Sequence, residues 1–137
     1  MNNKYFELAF KEAKKGYLNG EIPVGCVIVF NNRVISKACN MKELKNDPTL
    51  HAEILAIRKA TKKMKNWRLN GCSLYTTIKP CLMCMGAIME SRISEVNYLI
   101  ETNDIKNYYN NIIVNKCNYL EKESFELLKN FFADKRK

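Results

Sequence analysis

His51-Ala52-Glu53, followed further along by Pro80-Cys81-Leu82-Met83-Cys84, carries the reading of this chain. The two stretches supply an imidazole, two thiols and a carboxylate. Imidazole and thiolate are zinc ligands, and three of them with nothing to close the tetrahedron are the inventory of a catalytic site whose fourth position stays open to water. His51 is the only histidine of the chain, so none remains to complete the four-ligand shell of a structural site. Three protein ligands bring the pKa of a zinc-bound water to roughly 7. Two thiolates cancel the formal charge of the ion and weaken that effect, so a base has to help. Glu53, two residues from His51, suits the part of general base and then general acid.

Spacing tests the idea. Cys81 and Cys84 stand three apart and share a face if Pro80 opens a helix, which its fixed φ and missing N–H suit it to do. Thiols at a helix N-terminus are lowered in pKa, which favours metal binding. Residues two apart in a helix point in nearly opposite directions, so His51 and Glu53 converge only if they sit in a first turn. Asp47-Pro48-Thr49 supplies starting chemistry, with Asp47 or Thr49 as cap and Pro48 early. Beyond it Ile54, Leu55, Ile57 and Ala60 form the expected apolar stripe, with Lys59, Lys62 and Lys63 outside.

The remaining pattern is α-β-β-α-β-α-β-(β)-α. A helix with Tyr5, Phe6, Ala9, Phe10 and Ala13 inside and Glu7, Lys11, Glu12 and Lys14 outside ends near Gly16 or Gly20. Strands run from Val24 to Phe30 and from Val34 to Lys37 around Asn31-Asn32, a pair that tolerates positive φ and fits a tight hairpin. Ser73-Leu74-Tyr75-Thr76-Thr77-Ile78, rich in β-branched and aromatic residues, is the next strand. A strand from Glu95 to Ile100, a weaker one from Ile112 to Val114 and a helix from Glu121 to about Lys135 complete the order. Such an alternation predicts an α/β fold with a mixed sheet flanked by helices. It forms one domain over residues 1–137, with no internal repeat and no linker.

A Cys-x-x-Cys alone reads equally as a redox dithiol or as two packing thiols, and a lone His near a helix start reads as a cap. In this order, with Glu two after the His, the halves match the signature H-x-E…P-C-x-x-C. With them stand Glu21-Ile22-Pro23-Val24-Gly25, Asn31-Asn32-Arg33-Val34-Ile35, Asn40, the run from Asn46 to Ile54, Met85-Gly86-Ala87-Ile88 and Ser91-Arg92-Ile93. On these residues the chain resembles the cytidine and deoxycytidylate deaminase superfamily, and within it the bacterial tRNA adenosine deaminases, from about residue 4 to residue 98. The resemblance implies a three-layer fold with a central sheet of about five strands, and a single zinc-dependent deaminase domain. It implies Zn²⁺ held by His51, Cys81 and Cys84, proton transfer by Glu53, and substrate contacts from Asn40 and the backbone around Ala52. It further implies hydrolysis of adenosine to inosine in a tRNA anticodon stem-loop, at the wobble position, by a homodimer that needs no nucleotide cofactor.

Two places depart from that pattern. Many members of the superfamily carry an acidic residue before Pro-Cys, where this chain has Lys79, a charge reversal close to the metal. In the segment 101–116 the usual Gly-containing loop is replaced by a run over 103–111 that holds Tyr108 and Tyr109, which suit either base stacking or packing.

Composition sets outer bounds. A length of 137 residues suffices for one core without staples. The six cysteines, without a secretory leader, read as thiols of a reducing, cytoplasmic setting; Cys26 lies in an apolar strand, while Cys39, Cys72 and Cys117 have no evident task. No stretch reaches the roughly 18–20 apolar residues that cross a bilayer, so no membrane partner is expected. A net charge of +9 suits a protein that grips phosphates, as does a tail with Phe131-Phe132 before Lys135-Arg136-Lys137. The same two Phe also suit docking of the last helix, and the cations suit its C-terminal dipole. Two other functions use the same residues. One is deamination of a free base or nucleoside such as guanine, cytosine or cytidine. The other is a non-catalytic zinc module that binds RNA or partners an active deaminase, for which Glu53 would have no use.

Overall fold

A computed structural model describes residues 3–102 and 112–135. The β-branched runs form the sheet. β1 (Gly25–Phe30) and β2 (Arg33–Cys39) pair antiparallel. They are joined by Asn31 and Asn32, both at positive φ, 51° and 61°, as a tight turn that matches strand twist demands. β3 (Ser73–Ile78) pairs antiparallel with β1 and parallel with β4 (Glu95–Ile100), and β5 (Ile113–Lys116) lies parallel on β4. The order β2-β1-β3-β4-β5 makes a five-stranded mixed sheet.

Alternation along the strands gives the sheet two apolar faces. On one, Cys26, Ile28, Leu74 and Val96 pack with Ala52, Ala56 and Ala60 of α2 (Ala52–Met64) and with Met85 and Ile88 of α3 (Leu82–Glu90). On the other, Val27, Val29, Tyr75 and Leu99 pack with Tyr5, Phe6 and Ala9 of α1 (Asn3–Leu18). α4 (Glu121–Lys135) leans on β4 and α1. The helices therefore form two outer layers around the sheet, the α/β architecture that the pattern and the resemblance imply.

The buried faces of α2 and α1 differ from expectation, each for a packing reason. The fully buried stripe of α2 is Ala52, Ala56 and Ala60, while Leu55 and Ile57 flank it and Ile54 is only half-buried. Side chains no larger than a methyl let the helix backbone approach the sheet. In α1, Phe10 is half-buried and Glu12 is turned inward, so the helix is rotated relative to its most apolar face. It ends at Leu18, with Gly16 inside it and Gly20 taking the left-handed conformation at φ 84°. At the far end Phe131 docks, but Phe132 remains half-exposed against it, edge to face at 5.3 Å. Arg136 and Lys137, like Tyr108 and Tyr109, lie outside the described residues.

Gly25 shows how tightly the α1 layer sits. A Cβ there would lie 1.8 Å from the carbonyl oxygen of Ala9 and 2.7 Å from the backbone nitrogen of Ala13, so α1 would have to move off β1. Gly25→Ala is expected to cost about 3 kcal/mol or more of stability, read as a lower urea midpoint at unchanged slope.

Candidate metal centre and active-site pocket

Two helix starts meet at one end of the sheet. His51 is the N-cap of α2 and Cys81 the N-cap of α3, both with extended backbone and neither using its side chain to cap. The first backbone bonds of each helix run from Leu55 N–H to the His51 carbonyl and from Met85 N–H to the Cys81 carbonyl. Pro80 therefore stands before the cap and does not open the helix. Asp47 and Thr49 do not cap α2 either: the Asp47 carboxylate accepts the Thr49 N–H at 2.9 Å and its hydroxyl at 2.7 Å, closing a local turn instead. These bonds hold the Asp47 carboxyl below its ordinary pKa.

Freed from capping, the side chains face one another. His51 Nδ1 lies 3.7 Å from Cys81 Sγ and 3.5 Å from Cys84 Sγ, and all three donor atoms fall within 4.8 Å of each other. Zinc bonds of about 2.0–2.1 Å to nitrogen and 2.3 Å to sulfur, at a tetrahedral angle, require an N···S separation of about 3.6 Å. The donor set therefore fits zinc in both chemistry and size. Both helix N-termini direct their positive ends at the thiols, which favours thiolate. Between the sulfurs, the hydrogen bond from Cys84 brings Cys81 down to about 5, and the same bond raises Cys84. A divalent ion would take the place of the shared proton.

Glu53 lies in the first turn of α2, 2 % exposed. Among the described residues its Oε1 has no hydrogen-bond partner, an unusual state for a buried carboxylate oxygen. Burial raises its pKa to about 7, against the opposing pull of its own backbone N–H and of Cys84. The pocket beside it, about 200 Å³, is lined by His51, Glu53, Cys81, Asn40, Lys42, Lys79 and Thr102 among others. Drug-sized ligands need roughly 300 Å³ or more, so this cavity suits one ring system, with the remainder of any larger substrate outside.

Asn40 follows β2 and is buried. Its Oδ1 accepts the Ala52 N–H at 3.2 Å and its Nδ2 donates to Glu21 at 3.3 Å. The Ala52 N–H is thus engaged by Asn40. Sequence reasoning gave no role to Glu21, Lys42 or Thr102. For Glu21 there was a signal: an acidic residue directly before the apolar run 22–30.

The charge reversal at Lys79 is answered within the chain. Its ammonium lies 3.1 Å from Glu101, which also accepts the Tyr98 hydroxyl at 2.7 Å and the Thr102 N–H at 3.1 Å. The Tyr98 bond, with Lys79 behind it, holds the Glu101 carboxyl below its usual value. The pair ties the wall that carries Lys79 to the end of β4 and to Thr102.

A three-layered α/β fold around a His-Cys-Cys cluster with a buried glutamate defines a zinc-dependent deaminase. Residues 1–100 match the family of the cytidine and deoxycytidylate deaminase zinc-binding region, and the chain belongs to it. It is 42% identical over 148 residues to the tRNA-specific adenosine deaminase of Buchnera aphidicola subsp. Baizongia pistaciae, spanning 99% of this chain and 91% of that protein. With the tRNA-specific adenosine deaminase of Aquifex aeolicus it shares 46% identity over 97 residues, 70% of this chain and 64% of the other. Among solved structures, a tRNA:A34 deaminase of A-to-I editing at the wobble position superposes with a TM-score of 0.84 at 33% identity, covering 91% of this chain and 99% of that one. Guanine deaminase from Bacillus subtilis superposes with a TM-score of 0.71 at 40% identity, covering 76% of this chain and 67% of the other.

Two outcomes follow from this geometry. His51→Ala is expected to lose bound zinc, measured by elemental analysis of purified protein, and to melt below the zinc-loaded wild type at a temperature that added zinc no longer changes. Lys79→Glu sets two carboxylates together. Since Glu101 is half-exposed, the pair is worth no more than about 1 kcal/mol, so a fall in melting temperature of about 3 °C is expected. Adding Glu101→Lys should restore it.

Proposed function

We propose that the chain hydrolyses adenosine to inosine in RNA, at the wobble position of a tRNA anticodon loop. The chemistry rests on one observation: a buried carboxylate with an unpartnered oxygen beside three zinc-ligating atoms at the floor of a small pocket. The substrate class rests on the end-to-end likeness to a tRNA-specific adenosine deaminase and to a tRNA:A34 deaminase. The likeness to guanine deaminase takes in a smaller share of both chains.

His51, Cys81 and Cys84 would hold the ion. Bound there, zinc supplies Lewis acidity that makes a nucleophilic oxygen available from water near neutral pH. Glu53 accepts the proton that the attacking water gives up and passes it to N1 of adenine as the new C6–O bond forms. It then takes the proton of the C6 hydroxyl and hands it to the departing amine; the C6–N bond breaks, ammonia leaves and the base becomes hypoxanthine. Asn40 contacts the nucleoside, with the turn at Ala52 fixed behind it. Lys42, on the pocket wall, and the net charge of +9 suit the phosphates that flank the reacting nucleotide. An unpaired loop base reaches such a pocket without the cost of opening a duplex.

The domain acts as a homodimer in a cytoplasmic setting. Supporting the dimer, α3 is apolar along its length and leaves Leu82 65% exposed, with Met83 and Met89 also open; side chains of this kind adjoining a site suit a protein interface.

Nucleosides released from an anticodon stem-loop after incubation with zinc-loaded protein should include inosine, identified by mass spectrometry. Glu53→Gln should keep its zinc while turnover falls by about 10²–10⁴-fold. Guanine, cytosine or cytidine turned over faster than the stem-loop would place the activity on free bases or nucleosides instead. A protein that keeps its zinc but acts on none of these would be a binding module.

A further inference from the structure

Glu21 is fully buried, 0% exposed. Its partners among the described residues are neutral N–H groups: Oε1 accepts from the backbone of Glu43 and of Leu44, each at 3.0 Å, and Oε2 accepts from the backbone of Ile22 at 3.0 Å and from Asn40 Nδ2 at 3.3 Å. An ionised carboxylate only accepts and a backbone N–H only donates. Asn40, placed between Glu21 Oε2 and the Ala52 N–H, therefore has one permitted amide orientation. Oδ1 faces α2 and Nδ2 faces Glu21. One N–H of Nδ2 is left over, on a residue that lines the pocket with His51 and Glu53.

We infer that Glu21 is a positioning residue of the active site: it fixes the Asn40 amide so that its remaining N–H donor is held ready for the substrate. The inference rests on the reading of Asn40 as a substrate contact. Glu21 touches no reacting atom. Its two oxygens couple two tasks, holding the backbone at 43–44 with one and aiming Asn40 with the other.

The polarity of the chain Glu21–Asn40–Ala52 supplies the test. In Glu21→Gln one oxygen becomes an NH₂. With the remaining oxygen kept on Glu43 and Leu44, the new donor faces Asn40. The Asn40 amide then either meets it donor to donor or flips and meets the Ala52 N–H donor to donor. The Ile22 N–H, which Oε2 also accepts, loses its acceptor in every Glu21→Gln protein alike; Glu21→Gln with Asn40→Asp matches polarity again toward position 40, because a carboxylate there accepts from both its neighbours, yet it leaves no donor for the substrate.

Melting temperature without zinc, zinc content, and kcat and KM on an anticodon stem-loop are measured for the wild type, Glu21→Gln, Asn40→Ala, both together, and Glu21→Gln with Asn40→Asp. Glu21→Gln and Asn40→Ala should each lose about tenfold or more in kcat/KM, with zinc retained. Combined, they should lose less than about twofold beyond Asn40→Ala alone, since residues acting through one group are not additive. The Glu21→Gln/Asn40→Asp protein should regain melting temperature over Glu21→Gln but not kcat/KM.

A Glu21→Gln loss that is as large with Ala at position 40 as with Asn would overturn the inference while leaving the Asn40 contact standing, as would wild-type kcat/KM in Glu21→Gln. Activity that recovers together with melting temperature in the polarity-matched pair also overturns it. Wild-type kcat/KM in Asn40→Ala removes the Asn40 reading itself, and absence of inosine from zinc-loaded wild type removes the proposed function. Either result takes the inference with it.

Discussion

Two helix N-termini abut at one end of the sheet, and the rest of the site depends on that meeting. An N-cap residue has extended backbone while its side chain is free to turn, and N-caps ordinarily spend that freedom on the helix itself. Here His51 and Cys81 turn away from their own helices toward each other. The unsatisfied positive ends of α2 and α3 then bear on a thiol pair, which in turn can carry negative charge. Cys84, three residues into α3, and Glu53, in the first turn of α2, are placed by the same two starts. One imidazole, two thiols and one carboxyl thus need no loop to arrange them.

The buried polar groups around this meeting fall into two kinds. Glu21 is closed on every side by N–H donors, and a carboxylate so satisfied is part of the frame. Glu53 is buried nearly as deeply but keeps one oxygen without a partner. Low polarity around an unsatisfied carboxyl raises its affinity for a proton, which is the property a proton carrier needs. Asn40 connects the two, held by Glu21 at one end and holding the α2 start at the other. The same carboxylate chemistry serves as scaffold in one place and as reagent in another, according to how many donors reach it.

Much of this was legible from residue order. The Asn31-Asn32 hairpin follows from local tolerance of positive φ, and the strand at residues 73–78 from β-branched content. The cluster His51, Cys81 and Cys84 follows from spacing and ligand chemistry. Helix boundaries and faces were less so. Pro80 and Asp47 carry start signals, but the helices begin at Leu82 and Ala52, because Asp47 closes its own turn with Thr49 and Cys81 takes the cap. Periodicity pointed to Ile54 as a core residue, whereas the alanines of α2 are what touch the sheet, since close approach selects small side chains over apolar ones. Glu12 was misassigned for a similar reason, and the choice between Phe131 and Phe132 as the docking residue stayed open: hydropathy does not report the rotation of a helix against a surface it has yet to meet.

Residue types and their spacing were enough to determine the element order and the hairpin and to single out His51, Glu53, Cys81 and Cys84, because each depends on chemistry carried by short stretches of the chain. Only the tertiary structure decided that Lys79 is matched by Glu101, that Asn40 is locked between Glu21 and Ala52, and which oxygen of Glu53 lacks a partner. Those relations join groups 12 to 22 residues apart or depend on what encloses them. A hydrogen bond's direction or a carboxyl's solvation becomes defined only when the fold has placed its partners.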